Sequence, residues 1–149
     1  MRPYLPVVLQ GELIQRISVE LIDDKDDWQV ILALHQMGFA GLVTLDPSML
    51  TLAREVATIH QTRATVVAID AAGHNPLRAT GQLLLHAHAI ANGYIAAQPQ
   101  VFQIAKPRSP TPLPAWAYIG KIASGEGHAA QQTFDAAKLS VAELDTPVI

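Results

Sequence analysis

Apolar and polar positions along the first two thirds of the chain alternate in blocks that predict helices and strands in turn. Positions 5–16 carry apolar residues near helical spacing, which predicts a first helix, and positions 17–22 (ISVELI) predict a strand. Positions 28–37 repeat the helical pattern and end before Gly38, a natural helix stop. Positions 41–45 (GLVTL) are continuously apolar, as in a strand that is covered on both faces.

The second half of this pattern repeats the alternation. It predicts a helix, a strand, a longer helix and a last strand, at positions 46–60, 65–69, 76–91 and 101–105. Asp46 is expected to be the N-cap of the first of these helices and Pro47 its first residue. Strands that alternate with helices in this way predict βαβ units. Right-handed crossovers then give a three-layer α/β fold, Rossmann-like, with a mainly parallel sheet and helices on both faces.

A proline-rich segment interrupts the pattern near its end. Four prolines fall between positions 107 and 114, which predicts an extended connector. We therefore expect an α/β domain over positions 1–106, followed over positions 107–149 by the connector, a C-terminal helix and a tail.

Composition narrows the classes of protein that fit this pattern. The chain has 149 residues, half of them hydrophobic but only 5% aromatic, so the predicted core is aliphatic. Since cysteine is absent, disulfides, thiolate metal sites and cysteine nucleophiles are excluded. The net charge of −3 gives no general attraction to nucleic acid or acidic membranes, although a local site can still bind RNA. No signal peptide or membrane span is evident in the apolar pattern, so we expect a cytoplasmic protein without membrane contacts.

Carboxylates stand where the predicted strands end, and in parallel α/β sheets this edge forms the functional crevice. The residues concerned are Asp23, Asp24, Asp46 and Asp70 after three strands, and Asp26 and Asp27 at a helix start. Clustered carboxylates repel one another unless a cation neutralises them, and hard oxygen ligands suit Mg²⁺ or Mn²⁺. A second interpretation stays open, because aspartate before a helix or turn is also a common cap.

An ordered set of residues in this region resembles a known family. Asp27-Trp28 with the following apolar helix, then Gly38-Phe39, then Leu42 to Asp46 (LVTLD) resemble the second half of a PIN-type nuclease domain. The resemblance covers about positions 24–69. It implies a PIN-like fold, a Mg²⁺ or Mn²⁺ cofactor, and an endoribonuclease-type hydrolase acting on RNA.

The resemblance also assigns roles to particular residues. Asp27, or its neighbour Asp26, matches the acidic residue at the helix start, Asp46 matches the carboxylate of the Thr-x-Asp motif, and Thr44 the supporting hydroxyl. The metal ligands implied are Asp46 and Asp27, with Asp26 or Asp24 adding a carboxylate. The Asp-Asp-Trp form is similar to a bacterial subgroup related to toxins of toxin–antitoxin pairs. A protein antitoxin or a second copy of the chain is therefore an expected partner besides RNA.

One departure from the family pattern bears on activity. PIN-type domains begin with a hydrophobic strand that ends in a metal-binding aspartate, whereas the first aspartate here is Asp23. We therefore predict a weak or inactive nuclease, either because that strand lies upstream of Met1 or because the site is incomplete. The alternative function is a non-catalytic PIN-fold or Rossmann-like domain that binds protein or RNA. A small-molecule-binding domain of receiver or flavodoxin type is a third interpretation.

Overall fold

Helices and strands alternate through most of the computed structural model, which describes residues 8–9, 12–13, 24–70, 75–105 and 110–149. In chain order the elements are β1 (Val8–Leu9), β2 (Glu12–Leu13), α1 (Asp27–Gln36), β3 (Gly41–Thr44), a 3-10 helix (Pro47–Thr51), α2 (Ala53–Thr62), β4 (Thr65–Ile69), α3 (Pro76–Gly93), β5 (Gln100–Ile104), β6 (Leu113–Pro114), α4 (Ala115–Glu126), α5 (Ala130–Ala137) and α6 (Val141–Asp145). Within these described ranges, no helix is both long and apolar enough to cross a membrane.

The main sheet has the strand order β3-β4-β5-β6. Strands β3, β4 and β5 run parallel, and β6 pairs antiparallel with β5. Alternate side chains of β4 enter two separate cores: Val66 and Ala68 pack with α1, α2 and α4, while Val67 and Ile69 pack with α3. The prediction of a three-layer α/β fold with a mainly parallel sheet is thereby confirmed.

Local sequence signals fix the ends of α1 as predicted. Asp26 is the N-cap, and its backbone N–H donates to Oε1 of Gln29 at 3.0 Å. The helix ends before Gly38, which has a φ of +82°. Glycine adopts this left-handed conformation without the steric cost that a side chain would add. Because Asp26 caps the helix, Asp27 is the first residue of its first turn.

The helix predicted over positions 46–60 is divided into two in the structure. Asp46 caps the 3-10 helix, with Oδ1 accepting from the Ser48 N–H at 2.9 Å. Leu52 is extended, with φ −104° and ψ 124°, and α2 begins after it. The Thr51 hydroxyl donates to the Ser48 carbonyl oxygen at 2.7 Å, which closes the short turn locally. The apolar spacing did not reveal this break.

The helix predicted over positions 5–16 is wrong at the residues that the structure describes there. Val8 pairs with Leu13 and Leu9 with Glu12, as an antiparallel two-stranded ladder. Apolar residues at positions 8, 9 and 13 fit helical spacing, but two residues that include Gly11 separate the paired strands. A two-residue connection containing glycine is a hairpin signal, and it outweighs the helical spacing. The strand predicted over positions 17–22 lies outside the described residues.

The residues after the proline-rich segment contribute to the same core as the sheet. Ala115 and Ile119 of α4 are fully buried beside Val66. Gln61 of α2 holds the segment after α5, since its side-chain amide donates to the Leu139 carbonyl at 2.9 Å and accepts from the Leu139 N–H at 2.7 Å. Three helices thus follow position 114, where one helix and a tail were predicted. No observation tests the predicted boundary at position 107.

An aromatic cluster where α2 meets α4 and α5 makes stability depend on pH. The His60 ring lies 5.2 Å from Trp116 and 5.3 Å from Phe134, between centroids. Its Nδ1 is buried without a hydrogen-bond partner among the described residues, and burial lowers the pKa of His60 below its ordinary 6.5. Below that pH the unfolded chain therefore binds more protons than the folded one, and the free energy of unfolding falls.

We expect His60→Phe to remove this part of the pH dependence. Its contribution should be fully present above pH 6.5 and be lost as the pH falls through the lowered pKa. Urea unfolding at about pH 7.5 and about pH 5.5 measures the change. His35→Phe, at an exposed histidine of α1, is the control. An unchanged pH dependence in His60→Phe would contradict this account.

Candidate functional site

The carboxyl end of β3 presents Asp46 on a short, hydrogen-bonded turn. The Thr44 hydroxyl accepts from the Asp46 N–H at 3.1 Å, so Thr44 positions the backbone of Asp46. Asp46 itself is exposed, and its side chain also caps the 3-10 helix through Ser48. Asp46 therefore combines the capping role with a place at the carboxyl edge of the sheet.

Asp27 lies within electrostatic range of Asp46. The pKa of Asp27 is raised above its ordinary value, first by burial, then by the negative charges of Asp46 and Asp26. Asp27 begins α1 and Asp46 follows β3, so their proximity is a product of the fold. The structure therefore brings together two of the carboxylates that the sequence assigned to the site.

Glu55 is a third carboxylate of this group, and sequence reasoning missed it. It lies in the first turn of α2 and is only 8% exposed. Burial raises its pKa most, the charges of Asp27 and Asp26 raise it further, and its own backbone amide and Arg54 lower it. A glutamate in a first helical turn usually faces solvent, so only the packing of α1 against α2 reveals this one. We call Asp27, Asp46 and Glu55 the acidic group, with Asp26 at its margin.

Other sequence candidates are placed differently. The Asp24 carboxylate accepts from Lys25 Nζ at 2.9 Å, which lowers the pKa of Asp24. Asp24 is not among the charges that shift the pKa of Asp27 or Glu55. Asp70 is exposed at the end of β4 and likewise contributes to neither shift. Asp23 lies outside the described residues.

The donor chemistry of the acidic group fits a hard divalent cation. Its ligands would all be carboxylate oxygens, and burial, followed by neighbouring carboxylate charges, raises the pKa values of Asp27 and Glu55. Among the described residues, however, no three histidine or acidic side chains are arranged as a ready metal site. The candidates to hold Mg²⁺ or Mn²⁺ are Asp46, Asp27 and Glu55. To form a metal site, these three carboxylates would have to lie closer together or be joined by further ligands.

We expect Glu55→Gln to stabilise the protein near neutral pH when divalent cations are absent. Because the folded pKa is raised, the contribution of Glu55 is fully present below about pH 4.5 and is lost as the pH rises through the raised value. Removing the charge should increase the free energy of unfolding by about 1 kcal/mol at pH 7. Urea unfolding in EDTA measures the difference.

Glu126→Gln provides the matched control for this substitution. Glu126 is an exposed glutamate at the end of α4, where its side chain is 54% exposed. Its replacement should change the free energy of unfolding by less than about 0.5 kcal/mol. Equal effects at the two positions, or a loss of stability in Glu55→Gln, would contradict the electrostatic account of Glu55.

Comparison of the chain with protein-family models, curated proteins and solved structures finds no match. The PIN-type resemblance therefore still rests on the residues that carry it.

Proposed function

We propose that the chain is a PIN-like, metal-dependent endoribonuclease-type domain, toxin-related and acting on RNA in the cytoplasm. The observation that carries the proposal is the placement of Asp46 after β3 and of Asp27 at the start of α1, near enough that the Asp46 charge adds to the effect of burial in raising the pKa of Asp27. This arrangement supports a shared role for the Thr-x-Asp carboxylate and the helix-start carboxylate. Capping alone gives no reason for the two carboxylates to share it.

Each residue has a distinct part in this proposal. Asp46 and Asp27 would bind the cation, with Asp26 at the margin, and Thr44 holds the Asp46 backbone at 3.1 Å. Glu55 of α2 supplies a further carboxylate, and this residue is nearly buried. A bound Mg²⁺ or Mn²⁺ would lower the pKa of a coordinated water and offset charge on a phosphodiester. The carboxylates, in turn, would orient that cation at the carboxyl edge of the sheet.

The rate of cleavage is expected to be low. The first-strand aspartate that PIN-type domains use as a principal ligand has no counterpart before Asp23, and Asp24, a predicted additional ligand, is exposed and engaged with Lys25. A metal site that lacks one principal carboxylate loses coordination and charge together, so water activation should suffer most. We therefore propose a slow nuclease. Its cation site would be completed by ligands that do not belong to the acidic group.

An RNA cleavage assay tests this function. A 5′-labelled single-stranded RNA is incubated with the protein in Mn²⁺, in Mg²⁺ and in EDTA, and the products are resolved by length. We expect slow internal cleavage in Mn²⁺ or Mg²⁺ and none in EDTA. Equal cleavage with and without divalent cations would contradict the proposal.

A second candidate function is binding without catalysis, as a PIN-fold or Rossmann-like domain for RNA or protein. The observation that favours it is that no three candidate ligands among the described residues form a ready metal site. Filter binding of the same labelled RNA separates the two functions. Retained RNA without any cleavage in Mn²⁺ or Mg²⁺ would favour the binding function. A protein antitoxin or a second copy of the chain would then be the partner to seek.

A further inference from the structure

A cavity of about 320 Å³ lies beside the acidic group, between the beginning of α1 and the C-terminal segment. We call it the α1–tail cavity. Its principal side chains are Lys25, Trp28, Gln29 and Leu32 on one side, with Glu143 and Pro147 on the other. Its volume is at the lower end of ligand pockets, which span about 300 to 1,000 Å³, so it fits one small ligand.

Specific hydrogen bonds hold the outer wall of the cavity in place. The Gln36 side-chain amide donates to the carbonyl oxygens of Leu144 at 3.1 Å and Thr146 at 2.8 Å. Its Oε1 accepts from the Val148 N–H at 3.0 Å. Arg54 adds an ion pair with Glu143. One glutamine of α1 thus fixes three backbone groups of the tail, which makes the cavity a built feature of the fold.

The lining combines an aromatic surface with both hydrogen-bond donors and acceptors. The Arg54 guanidinium lies 4.4 Å from the Trp28 ring centroid, but Arg54 does not line the cavity. The cavity therefore reaches a different part of the indole. Lys25 provides an ammonium group, and Glu143 provides a carboxylate whose pKa is lowered by the Ser140 amide and hydroxyl and by Arg54. A flat heteroaromatic ring with polar edges matches this lining better than an ion of either sign.

The residues of the cavity and of the acidic group adjoin one another in the chain. Trp28 follows Asp27 in the first turn of α1, and Arg54, which covers Trp28, precedes Glu55 on α2. A ring bound against Trp28 would therefore lie one residue along α1 from Asp27, on a neighbouring face of the helix. Lys25 lies at the same opening and donates to the Asp24 carboxylate at 2.9 Å, so a phosphate bound there would share Lys25 with Asp24.

We propose that the α1–tail cavity binds one base of a single-stranded RNA and presents the adjoining phosphodiester to the acidic group. The proposal rests on the ribonuclease function above, and it names the substrate feature that the site selects. Glu143 Oε2 already accepts from the Ser140 N–H and hydroxyl, whereas, among the described residues, Oε1 accepts only from Arg54 and keeps one acceptor position. A base with an exocyclic amino group, as in cytosine or adenine, can donate to Oε1 and therefore binds more tightly than uracil. Stacking on Trp28 supplies the sequence-tolerant part of the affinity.

Fluorescence of Trp28 tests the proposal without catalysis. The chain has two tryptophans, so Trp116→Phe leaves Trp28 as the only indole. Cytidine, adenosine and uridine hexaribonucleotides are titrated into this protein in EDTA. We expect the cytidine and adenosine hexamers to quench the emission and to bind at least about fivefold more tightly than the uridine hexamer. Absence of quenching by all three hexamers would overturn the proposal.

A pair of alanine substitutions tests the location. Ala142 lines the cavity, so Ala142→Leu reduces its volume without replacing Trp28 or any residue of the acidic group. Ala136→Leu places the same side chain at an exposed position of α5, away from the cavity. We expect Ala142→Leu to weaken hexamer binding at least about fivefold and Ala136→Leu to leave it unchanged. Equal affinities in the two variants, both folded by thermal melting, would overturn the proposal.

The cleavage assay separates failure of this inference from failure of the proposed function. If Ala142→Leu cleaves RNA with an unchanged KM, the cavity is not the base site, although the nuclease function stands. If the hexamers bind as expected but no protein cleaves RNA, the cavity proposal stands as a binding site and the catalytic function fails.

Discussion

Asp46→Asn is expected to reduce Mn²⁺-dependent RNA cleavage at least about 100-fold. Asparagine keeps the oxygen that accepts from the Ser48 N–H at 2.9 Å, so the cap of the 3-10 helix is retained. What is lost is the negative charge, which a divalent cation requires from its ligands. The substitution therefore removes cation binding while it preserves the local fold.

Asp70→Asn is the matched control for this prediction. Asp70 also follows a strand of the sheet, but its charge contributes to neither of the raised pKa values in the acidic group. Initial rates of cleavage at saturating Mn²⁺ should be unchanged in this variant. Equal losses in the two variants, or full activity in Asp46→Asn, would contradict the assignment of Asp46 as a ligand.

Gly41→Ala is expected to lower the free energy of unfolding by at least about 3 kcal/mol. Gly41 pairs with Thr65 at the start of β3, and a Cβ at position 41 would lie 1.8 Å from the Thr65 carbonyl oxygen. This oxygen belongs to the backbone of β4, so the clash can be relieved only by moving the backbone of one of the two strands. Separation of the two strands would also displace Asp46 from Asp27.

Gly120→Ala is the control for a glycine replaced without a clash. A Cβ at Gly120 would meet no atom within 4 Å, and the residue lies inside α4. Alanine is the better helix former, so this variant should be more stable by about 0.5 to 1 kcal/mol. Urea unfolding of both variants gives the comparison. A Gly41→Ala protein as stable as the unaltered chain would contradict the strand register.

Hydrophobic periodicity predicted the position of strands most accurately where every residue is buried. Strand β4 (Thr65–Ile69) is buried at all five positions and was predicted with its exact bounds. The prediction for β3 was less accurate, because its residues are half-buried on an edge of the described sheet. The divided helix after Asp46 and the hairpin of β1 and β2 were missed. In both places apolar spacing fits a helix; after Asp46 the hydrogen bond from the Thr51 hydroxyl to the Ser48 carbonyl closes the short turn instead.

The candidate site shows a similar division between local and tertiary information. Asp46 and Asp27 could be predicted as site residues because one follows a strand and the other begins a helix, and the sequence marks both positions clearly. Glu55 depends on how α2 packs against α1, and its exposure of 8% is invisible in a helical pattern of charged and apolar residues. Asp24 sits in the same acidic stretch as Asp27, yet an adjacent lysine engages it locally.

The central claim is that the Asp46 charge acts on Asp27, that the Asp27 charge acts on Glu55, and that a divalent cation neutralises these carboxylates. Carboxyl-carbon NMR titration of Asp27 and Glu55, with and without Mg²⁺, tests it most directly. Without Mg²⁺ we predict that Asp27 titrates above 3.8 and Glu55 above 4.5, and that Asp46→Asn lowers the pKa of Asp27. With Mg²⁺ both pKa values should fall, because the bound cation favours the ionised carboxylates. Ordinary pKa values that neither Mg²⁺ nor Asp46→Asn changes would contradict the claim.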